Sequence, residues 1–433
     1  MDWTTAALLL AFGLVLALAS NLPVAFAFGV LNLIAAWFLF GSVDALSFLV
    51  HAAYSSVANV YLTAVPFFVL MGTIFVRSGL SAVVMDLIGK ILAGVRGSGA
   101  YTAVLGGVVL GALMGASVAS TAVLGSTLIA ELRRRGYSKE LSVGPVLGAG
   151  TLANLIPPSL GAVLIGSLAG ISIPHLLLAG LGPAFVLSSL LVLYIFWKTR
   201  GHPELDDAAA GSVTVRDRLI ALLKLAPLLV PVFSVTGVIY LGIATSTEAS
   251  ATGALSTVLI AYLYRRFGWR DAYAMVRDAL VFSAMIMFIV VNSKAYSQIL
   301  AITGIAQGFA GMVSAMAAGP IVAVTVVLLI ALLLGCFMDQ TSVIFVGVPL
   351  LVGVMSKMNI DPVWFGVMFM IVVGTGGITP PFGLNLFAAK GVAPPDISMR
   401  DVYIVCVPFC LLELATVAVV LFNPWVAKIF IDQ

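Results

Sequence analysis

Ten apolar stretches follow one another along this chain, near residues 4–20, 22–40, 50–76, 142–170, 174–197, 220–242, 247–266, 277–303, 362–389 and 401–425. Each is long enough to carry a helix across a hydrocarbon core of about 30 Å. Backbone polar groups find no water in that layer, so helices that satisfy their own hydrogen bonds are the expected form. The composition agrees: 62% of residues are hydrophobic and 9% charged, where an ordinary soluble domain carries about 25% charged residues. The reading is an all-α polytopic membrane protein in contact with the lipid bilayer. The net charge of +3 comes from scattered basic residues, which leaves no footprint for nucleic acid.

Two further apolar stretches, 100–130 and 320–355, are too long for one span, and each half is short for a span. Each is rich in Gly, Ser or Thr at its middle, at Gly115–Ser120 and Gly335–Ser342. Both read as re-entrant hairpins that enter and leave on one side. The first basic residue is Arg77, so no basic segment precedes the first apolar run. The expectation is that this helix is retained, not cleaved as a signal peptide, and starts outside the cytoplasm. Counting through from there places 18 of the 21 Lys and Arg residues in the cytoplasm, as the positive-inside rule requires. Lys357 and Lys428 fall outside, and Lys294 falls within a span.

Pro157-Pro158 interrupts one apolar run, and Pro380-Pro381 interrupts another about 223 residues later; such duplication is a mark of secondary transporters. The same shift lays the first hairpin tip, GASVAS at Gly115–Ser120, on MDQTSV at Met338–Val343. The matched segments run in opposite directions in the topological count. The expected architecture is therefore an inverted-topology repeat of five spans each with two re-entrant hairpins. Residues 1–200 form the first repeat, with a hairpin near 100–130 and a broken helix near 150–160. Residues 201–217, beginning GHPELDDAAAG, form a cytoplasmic linker. Residues 218–433 form the second repeat, with a hairpin near 320–355 and a broken helix near 374–384.

Proline has no N–H, so carbonyls one turn before each pair lose their usual donors. Ala153, Asn154 and Ile156 are candidates before the first pair, and Gly376, Gly377 and Thr379 around the second. Broken backbone at membrane depth survives only where protein, water or a ligand satisfies it. Free carbonyls suit a small cation, and the half-helix N-termini beyond each break suit an anion. The pattern predicts paired cation and substrate sites near the midplane. Candidate substrate contacts are Ser120, Asn154, Ser159, Asp339, Thr341 and Asn385.

Several other residues could carry chemistry. Asp339, in the second tip, could pair with a cation or proton, or cap a helix. Lys294 could attract a carboxylate, extend to the interface, or meet a partner subunit. Glu248 could cap the helix that follows it or act as a ligand. Glu413 could face a partner or a scaffold neighbour. Arg133, Arg134, Arg135 and Lys139 could mark the cytoplasmic side or line an inner vestibule for an anion. His51, His175 and His202 lie far apart with no zinc spacing. Cys336, Cys406 and Cys410 sit in apolar runs and read as small buried residues. A serine hydrolase acting within the membrane would need a base beside GASVAS, and none is evident. A passive channel would leave the duplicated halves unexplained.

The stretches GASVASTAVLGSTLIAELRRRGYSKELS, GAGTLANLIPPSLGAVLIGSLAGISIPHLLLAGLGPA, TSTEASATGAL and GGITPPFGLNLFAAKGVAPPDIS, with LLLGCFMDQTSVIFVGVPLL, resemble the large membrane subunit of tripartite ATP-independent periplasmic (TRAP) transporters. The likeness covers nearly the whole chain. It implies a transporter subunit and not an enzyme, multi-pass in the bacterial inner membrane. It also implies a small four-helix membrane subunit, a periplasmic substrate-binding protein, a small organic anion as substrate and Na+ as coupling ion, with no organic cofactor. Transport would follow an elevator motion of a transport domain against a scaffold built from spans such as 22–40, 50–76, 247–266 and 277–303. A stand-alone cation-coupled carrier is the alternative. Carried over by motif, the first sodium site would use Gly111, Met114, Ser117, Ala153, Ile156 and Pro157, and the second Gly335, Gly376, Thr379 and Phe382. The family's first tip is richer in serine than Met114-Gly115-Ala116-Ser117. Methionine is a poor ligand for a hard cation, so that site would rest on carbonyls and on Ser117 or Ser120.

Overall fold

The computed structural model describes residues 2–19, 24–40, 44–58, 60–200, 213–316 and 319–431, and its regular structure is helical. Helices α1 (Trp3–Ala19), α2 (Val24–Phe40), α3 (Asp44–Val57), α4 (Ala64–Arg77) and α5 (Leu80–Leu92) lead into a hairpin of α6 (Ser98–Met114) and α7 (Ser117–Arg134). Then come α8 (Lys139–Thr151), α9 (Leu160–Ala169), α10 (Ile173–Ala179) and α11 (Leu181–Thr199). The second part runs through α12 (Val215–Leu228), α13 (Val230–Tyr240), α14 (Ser246–Leu263), α15 (Trp269–Ile302) and α16 (Ile305–Met316). A second hairpin, α17 (Pro320–Gly335) and α18 (Gln340–Met358), precedes α19 (Pro362–Gly377), α20 (Leu384–Val392), α21 (Met399–Phe422) and α22 (Trp425–Lys428).

Helix starts follow from local chemistry. Thr214 with Asp217, Thr245 with Glu248 and Ser398 with Asp401 form capping boxes on α12, α14 and α21, each satisfying otherwise orphaned N–H groups. Glu248 is thus a helix cap. Helix α12 begins at Val215, inside the end of the stretch read as linker; residues 201–212, with His202, lie outside the described residues.

Several expected spans are divided. The 50–76 stretch separates into α3, a short 3-10 turn at Val60–Thr63 and α4. Pro66 cannot donate to a carbonyl one turn back, so α4 starts afresh beside it. Helices α4 and α5 meet at 68°, across Gly79 with its left-handed φ of 70°. The 220–242 stretch bends by 56° between α12 and α13, where Pro231 removes another donor. Among the described residues, four helices are long and apolar enough to cross a membrane unbroken, or six if each bent pair is one span.

The helices pack in two sets that meet where α5 and α4 lie on α6. In one, α7 and α6 lie on α8, α20 lies on α7, α21 lies on α8 and α19, and α17 lies on α19. In the other, α15 lies on α2, α3 and α4, α14 lies on α4 and α13, and α12 lies on α5. The second group presents bare apolar side chains, among them Phe26, Phe38, Leu223, Phe233, Leu259 and Leu263, a surface suited to lipid or another membrane subunit. Ion pairs Arg133–Asp396, Lys139–Asp401 and Lys198–Glu140 join residues that the topological count puts on the cytoplasmic side. Lys428–Asp361 joins two that it puts outside.

Candidate functional site

The first break lies between α8 and α9. Helix α8 tightens into a 3-10 turn at Leu152–Asn154 and stops, because Pro157 and Pro158 cannot donate to Ala153 and Asn154. The chain finds other partners. The Leu152 carbonyl accepts from Leu155 N and Ile156 N, both at 2.9 Å. The Asn154 carbonyl accepts from Ser159 Oγ at 2.6 Å, and the same Oγ accepts from Ala162 N at 3.2 Å to cap α9. Asn154 is therefore not a free carbonyl. Ser159→Ala should lower stability by about 1–2 kcal/mol, the usual cost of a lost N-cap; thermal unfolding in detergent reads it, and an unchanged midpoint would refute the cap's weight.

The second break, between α19 and α20, is built alike. Ile378 N donates to the Thr375 carbonyl and Thr379 N to the Gly376 carbonyl, both at 3.1 Å. Thr379 Oγ1 donates to the Thr375 carbonyl at 2.6 Å and lies 3.7 Å from Cys410 Sγ. Both Pro-Pro bonds, Pro157-Pro158 and Pro380-Pro381, are cis.

Each hairpin tip is tied to its break by a matching bond. Leu160 N donates to the Gly115 carbonyl at 3.1 Å, and Phe382 N donates to the Cys336 carbonyl at 3.0 Å. Each tip also presses backbone on backbone. A Cβ on Gly111 would sit 3.0 Å from Ala153 Cα, and one on Gly335 would sit 2.9 Å from Gly376 Cα. Gly111 and Ala153 thus meet, as do Gly335 and Gly376. Met114, Ser117 and Ile156 are buried around the first junction. The Ser117 hydroxyl accepts from Asn385 Nδ2 at 2.6 Å, joining the first tip to α20 of the second half. The Phe382 ring is exposed and lies beside Phe337 of the tip, with centroids 6.0 Å apart and planes tilted by 45°.

Between the tips lies a small cleft. Gly115, Ala116, Asn154, Gly161, Gln340 and Thr341 supply its polar and small-residue wall. Of the expected substrate contacts, Asn154 and Thr341 line it and the other four do not. Ser120 is fully buried with an unpartnered Oγ. Ser159 is spent on the α9 cap. Asp339 caps α18, accepting from Ser342 N at 3.1 Å and from the Ser342 hydroxyl. Asn385 is fully buried on Ser117, with its Oδ1 unpartnered. Gln340 lines the cleft with an unpartnered Nε2 beside Gly377, and the sequence reading passed over it. Its place next to Asp339 in the MDQTS tip was the available signal.

The model of the family described as tripartite ATP-independent periplasmic transporter, DctM component, matches residues 11–426. The chain belongs to this family. Curated relatives include a C4-dicarboxylate TRAP transporter large permease protein of Pseudomonas aeruginosa, 30% identical over 371 residues, covering 84% of this chain and 85% of the relative. An ectoine TRAP transporter large permease protein of Halomonas elongata is 31% identical, covering 83% and 84%. A 2,3-diketo-L-gulonate TRAP transporter large permease protein of Escherichia coli is 28% identical, covering 84% of each. The crystal structure of the Alcanivorax borkumensis YdaH transporter superposes with a TM-score of 0.61 at 14% identity, covering 88% of each chain; that likeness is one of fold. The chain is thus a large permease of the TRAP type, a multi-pass membrane transport protein and not an enzyme.

In this TRAP permease, Glu413 differs from expectation. It faces neither scaffold nor partner but is fully buried, with Oε1 accepting from Thr151 Oγ1 at 2.5 Å. Helix α21 is apolar nearly all round, so its sequence does not show which face turns inward. Lys294 is half-buried with no ion-pair partner among the described residues. Arg133 pairs with Asp396, and Arg134 and Arg135 pair with Glu131 on their own helix. No cluster of three His, Cys, Asp or Glu able to hold a metal occurs among the described residues. The cysteines are free, with Cys336 Sγ on the Leu332 carbonyl and Cys410 Sγ on the Ile378 carbonyl.

Proposed function

We propose that this chain is the large transmembrane subunit of a sodium-coupled, binding-protein-dependent importer of a small organic anion in a bacterial inner membrane. It works with a small four-helix membrane subunit and a periplasmic substrate-binding protein. The observation that carries the proposal is the pair of matching junctions, each tip bonded to its own broken helix, on either side of one cleft. At each junction prolines deprive carbonyls of donors, at Ala153 and Asn154 in the first and at Gly376 and Gly377 in the second, and each break holds a hydroxyl side chain, Ser159 or Thr379. Hard oxygen donors of this kind suit a small monovalent cation. The residues present fit sodium through backbone oxygen at Ala153 and Gly377, with Thr379 able to add its hydroxyl by turning from the Thr375 carbonyl.

The cleft's Asn154, Gln340 and Thr341 offer neutral donors to an anion, and α9 and α20 begin just beyond the breaks with their N-termini toward the tips. Among the relatives' named substrates, C4-dicarboxylates, 2,3-diketo-L-gulonate and ectoine carry a carboxylate and isethionate carries a sulfonate, and a carboxylate is the class proposed here. In the elevator motion the hairpin group travels against the group built on α2, α4, α14 and α15. Residues 1–200 and 218–433 are the two inverted repeats of that machine.

The test is uptake of organic acids by proteoliposomes holding this chain with its small subunit, with and without binding protein, under an inward sodium or an equal potassium gradient. Uptake requiring both sodium and binding protein supports the proposal. Sodium-driven uptake without binding protein points to a stand-alone carrier, and uptake that ignores sodium overturns the paired sites. Thr379→Ala should then raise the sodium concentration for half-maximal uptake by about tenfold, equivalent to losing one interaction of about 1.4 kcal/mol.

A further inference from the structure

A second cleft adjoins the one between the tips, and Ala116, Leu160 and Phe282 line both. Three elements shape it. Helix α7 contributes Ala119 and Ala122, three apart and so on one face, and Ala116 stands just before its first turn; their small side chains leave a slot. Opposite, α4 contributes Thr73 and Arg77. Helix α15 contributes Asp278 and Phe282 here, while Phe282 and Ile286 line the inner cleft. These three stand four residues apart, on one stripe of a continuous helix. One face of α15 therefore runs from the cleft between the tips to a mouth formed by Arg77 and Asp278.

The mouth carries an ion pair, Arg77 with Asp278, whose side chains are 49% and 41% exposed. Arg266 lies close by; a Cβ on Gly79, two residues past Arg77, would sit 3.8 Å from its guanidinium. An exposed pair of this kind contributes little to stability and can exchange partners. A guanidinium presents a planar fork of donors that matches a carboxylate, whether from Asp278 or from a solute.

We propose that Arg77 is an anion-receiving residue at the cytoplasmic mouth of this path, and that Asp278 is its internal competitor. A carboxylate leaving the cleft between the tips past Phe282 would take the place of the Asp278 carboxylate on Arg77. Release to the cytoplasm then follows as Asp278 returns. This assignment rests on the transport reading and on the topological count for its direction, and it adds a residue pair that the paired tips do not involve.

The test reads access and charge preference, not transport, so it stands apart from the uptake experiment. Ala122→Cys, and one turn deeper Ala119→Cys, are placed in the full chain and exposed to membrane-impermeant methanethiosulfonates in inside-out and right-side-out vesicles. The chain with only its native cysteines is the blank. The expected result is labelling from the cytoplasmic face, with an anionic ethylsulfonate reagent favoured over a cationic trimethylammonium one. Arg77→Gln should lower the anionic-to-cationic rate ratio by about fivefold and Asp278→Asn should raise it by about as much, the scale of one nearby charge in a partly solvated slot. Arg77→Lys, which keeps the charge, should hold the ratio near that of the parent. Labelling from the opposite face only, a ratio that neither variant moves, or both variants moving it in the same direction as a lost structural staple would, each overturns the assignment.

Discussion

Gly376→Val should abolish sodium-driven uptake while Gly89→Ala leaves it intact. Gly376 sits in the last turn of α19, and a Cβ there would lie 2.7 Å from Gly335 Cα and 3.0 Å from the Gly335 carbonyl carbon. Both neighbours are backbone, so no side-chain rotation relieves the contact; either the hairpin tip or the broken helix must move. Overpacking of this kind costs about 1–3 kcal/mol in an ordinary core, and here the displaced atoms are those that hold the second junction. The Phe382 N–H bond to the Cys336 carbonyl, one residue beyond Gly335, is the first to be lost. Gly111→Val should act in the same way at the first junction, through Ala153. At Gly89, in the last turn of α5, a Cβ would meet nothing within 4 Å, so alanine there is neutral or stabilising by up to about 1 kcal/mol through helix propensity. Uptake in proteoliposomes, with unfolding midpoints measured in parallel, separates the two. A Gly376→Val chain that transports at a tenth of the parent rate or better would show that the backbone contact is not part of the site.

What could be read from the sequence divides along physical lines. The prolines were legible because a missing N–H acts locally: Pro157-Pro158 and Pro380-Pro381 mark the breaks whatever the rest of the chain does. Capping was legible for the same reason, since Thr245 and Glu248 stand at the spacing of a capping box, and Asp339 stands three residues before the Ser342 N–H that it accepts from. The spans were legible as apolar runs but not in continuity: ten were expected, and among the described residues four helices, or six counting each bent pair as one, are long and apolar enough to cross a membrane. Runs such as 50–76 are apolar on average although they hold Ser55, Ser56, Asn59 and Pro66, and averaged hydropathy does not register a turn inside them. Contacts between distant segments were not legible at all. Ser117 and Asn385 are polar residues in separate apolar surroundings, and only folding brings them to 2.6 Å. The same holds for Arg77 and Asp278, and for Gly335 and Gly376. The inward face of α21 was hidden because an apolar helix in lipid carries no polar face to betray its orientation.

Glu413 gives that last point its sharpest consequence, because Glu413→Ala and Glu413→Gln should separate widely. The carboxyl is fully buried on α21 and bonded to Thr151, which ends α8 immediately before the first break. It packs where α21 meets α8 and α19, the two helices that break. Thr151 Oγ1 is also 2.8 Å from the Gly148 carbonyl, so its one hydrogen has two acceptors within reach. Oε2 of Glu413 has no partner among the described side chains. Alanine removes the side chain from a close-packed interior and leaves a hole, which costs about 2–5 kcal/mol for side chains of this size. It also unties α21 from the end of α8. Glutamine keeps the volume and the bond to Thr151, and it removes the need to bury an acid in a setting without a nearby cation. Glu413→Gln should therefore unfold within a few degrees of the parent in detergent, whereas Glu413→Ala should unfold well below it and lose most sodium-driven uptake. If both variants unfold together, the volume and hydrogen bond of this side chain do not hold the breaks in place. If Gln is as stable as the parent yet inactive, the acid itself serves transport, and the buried carboxyl becomes a working part of the site and not a strut behind it.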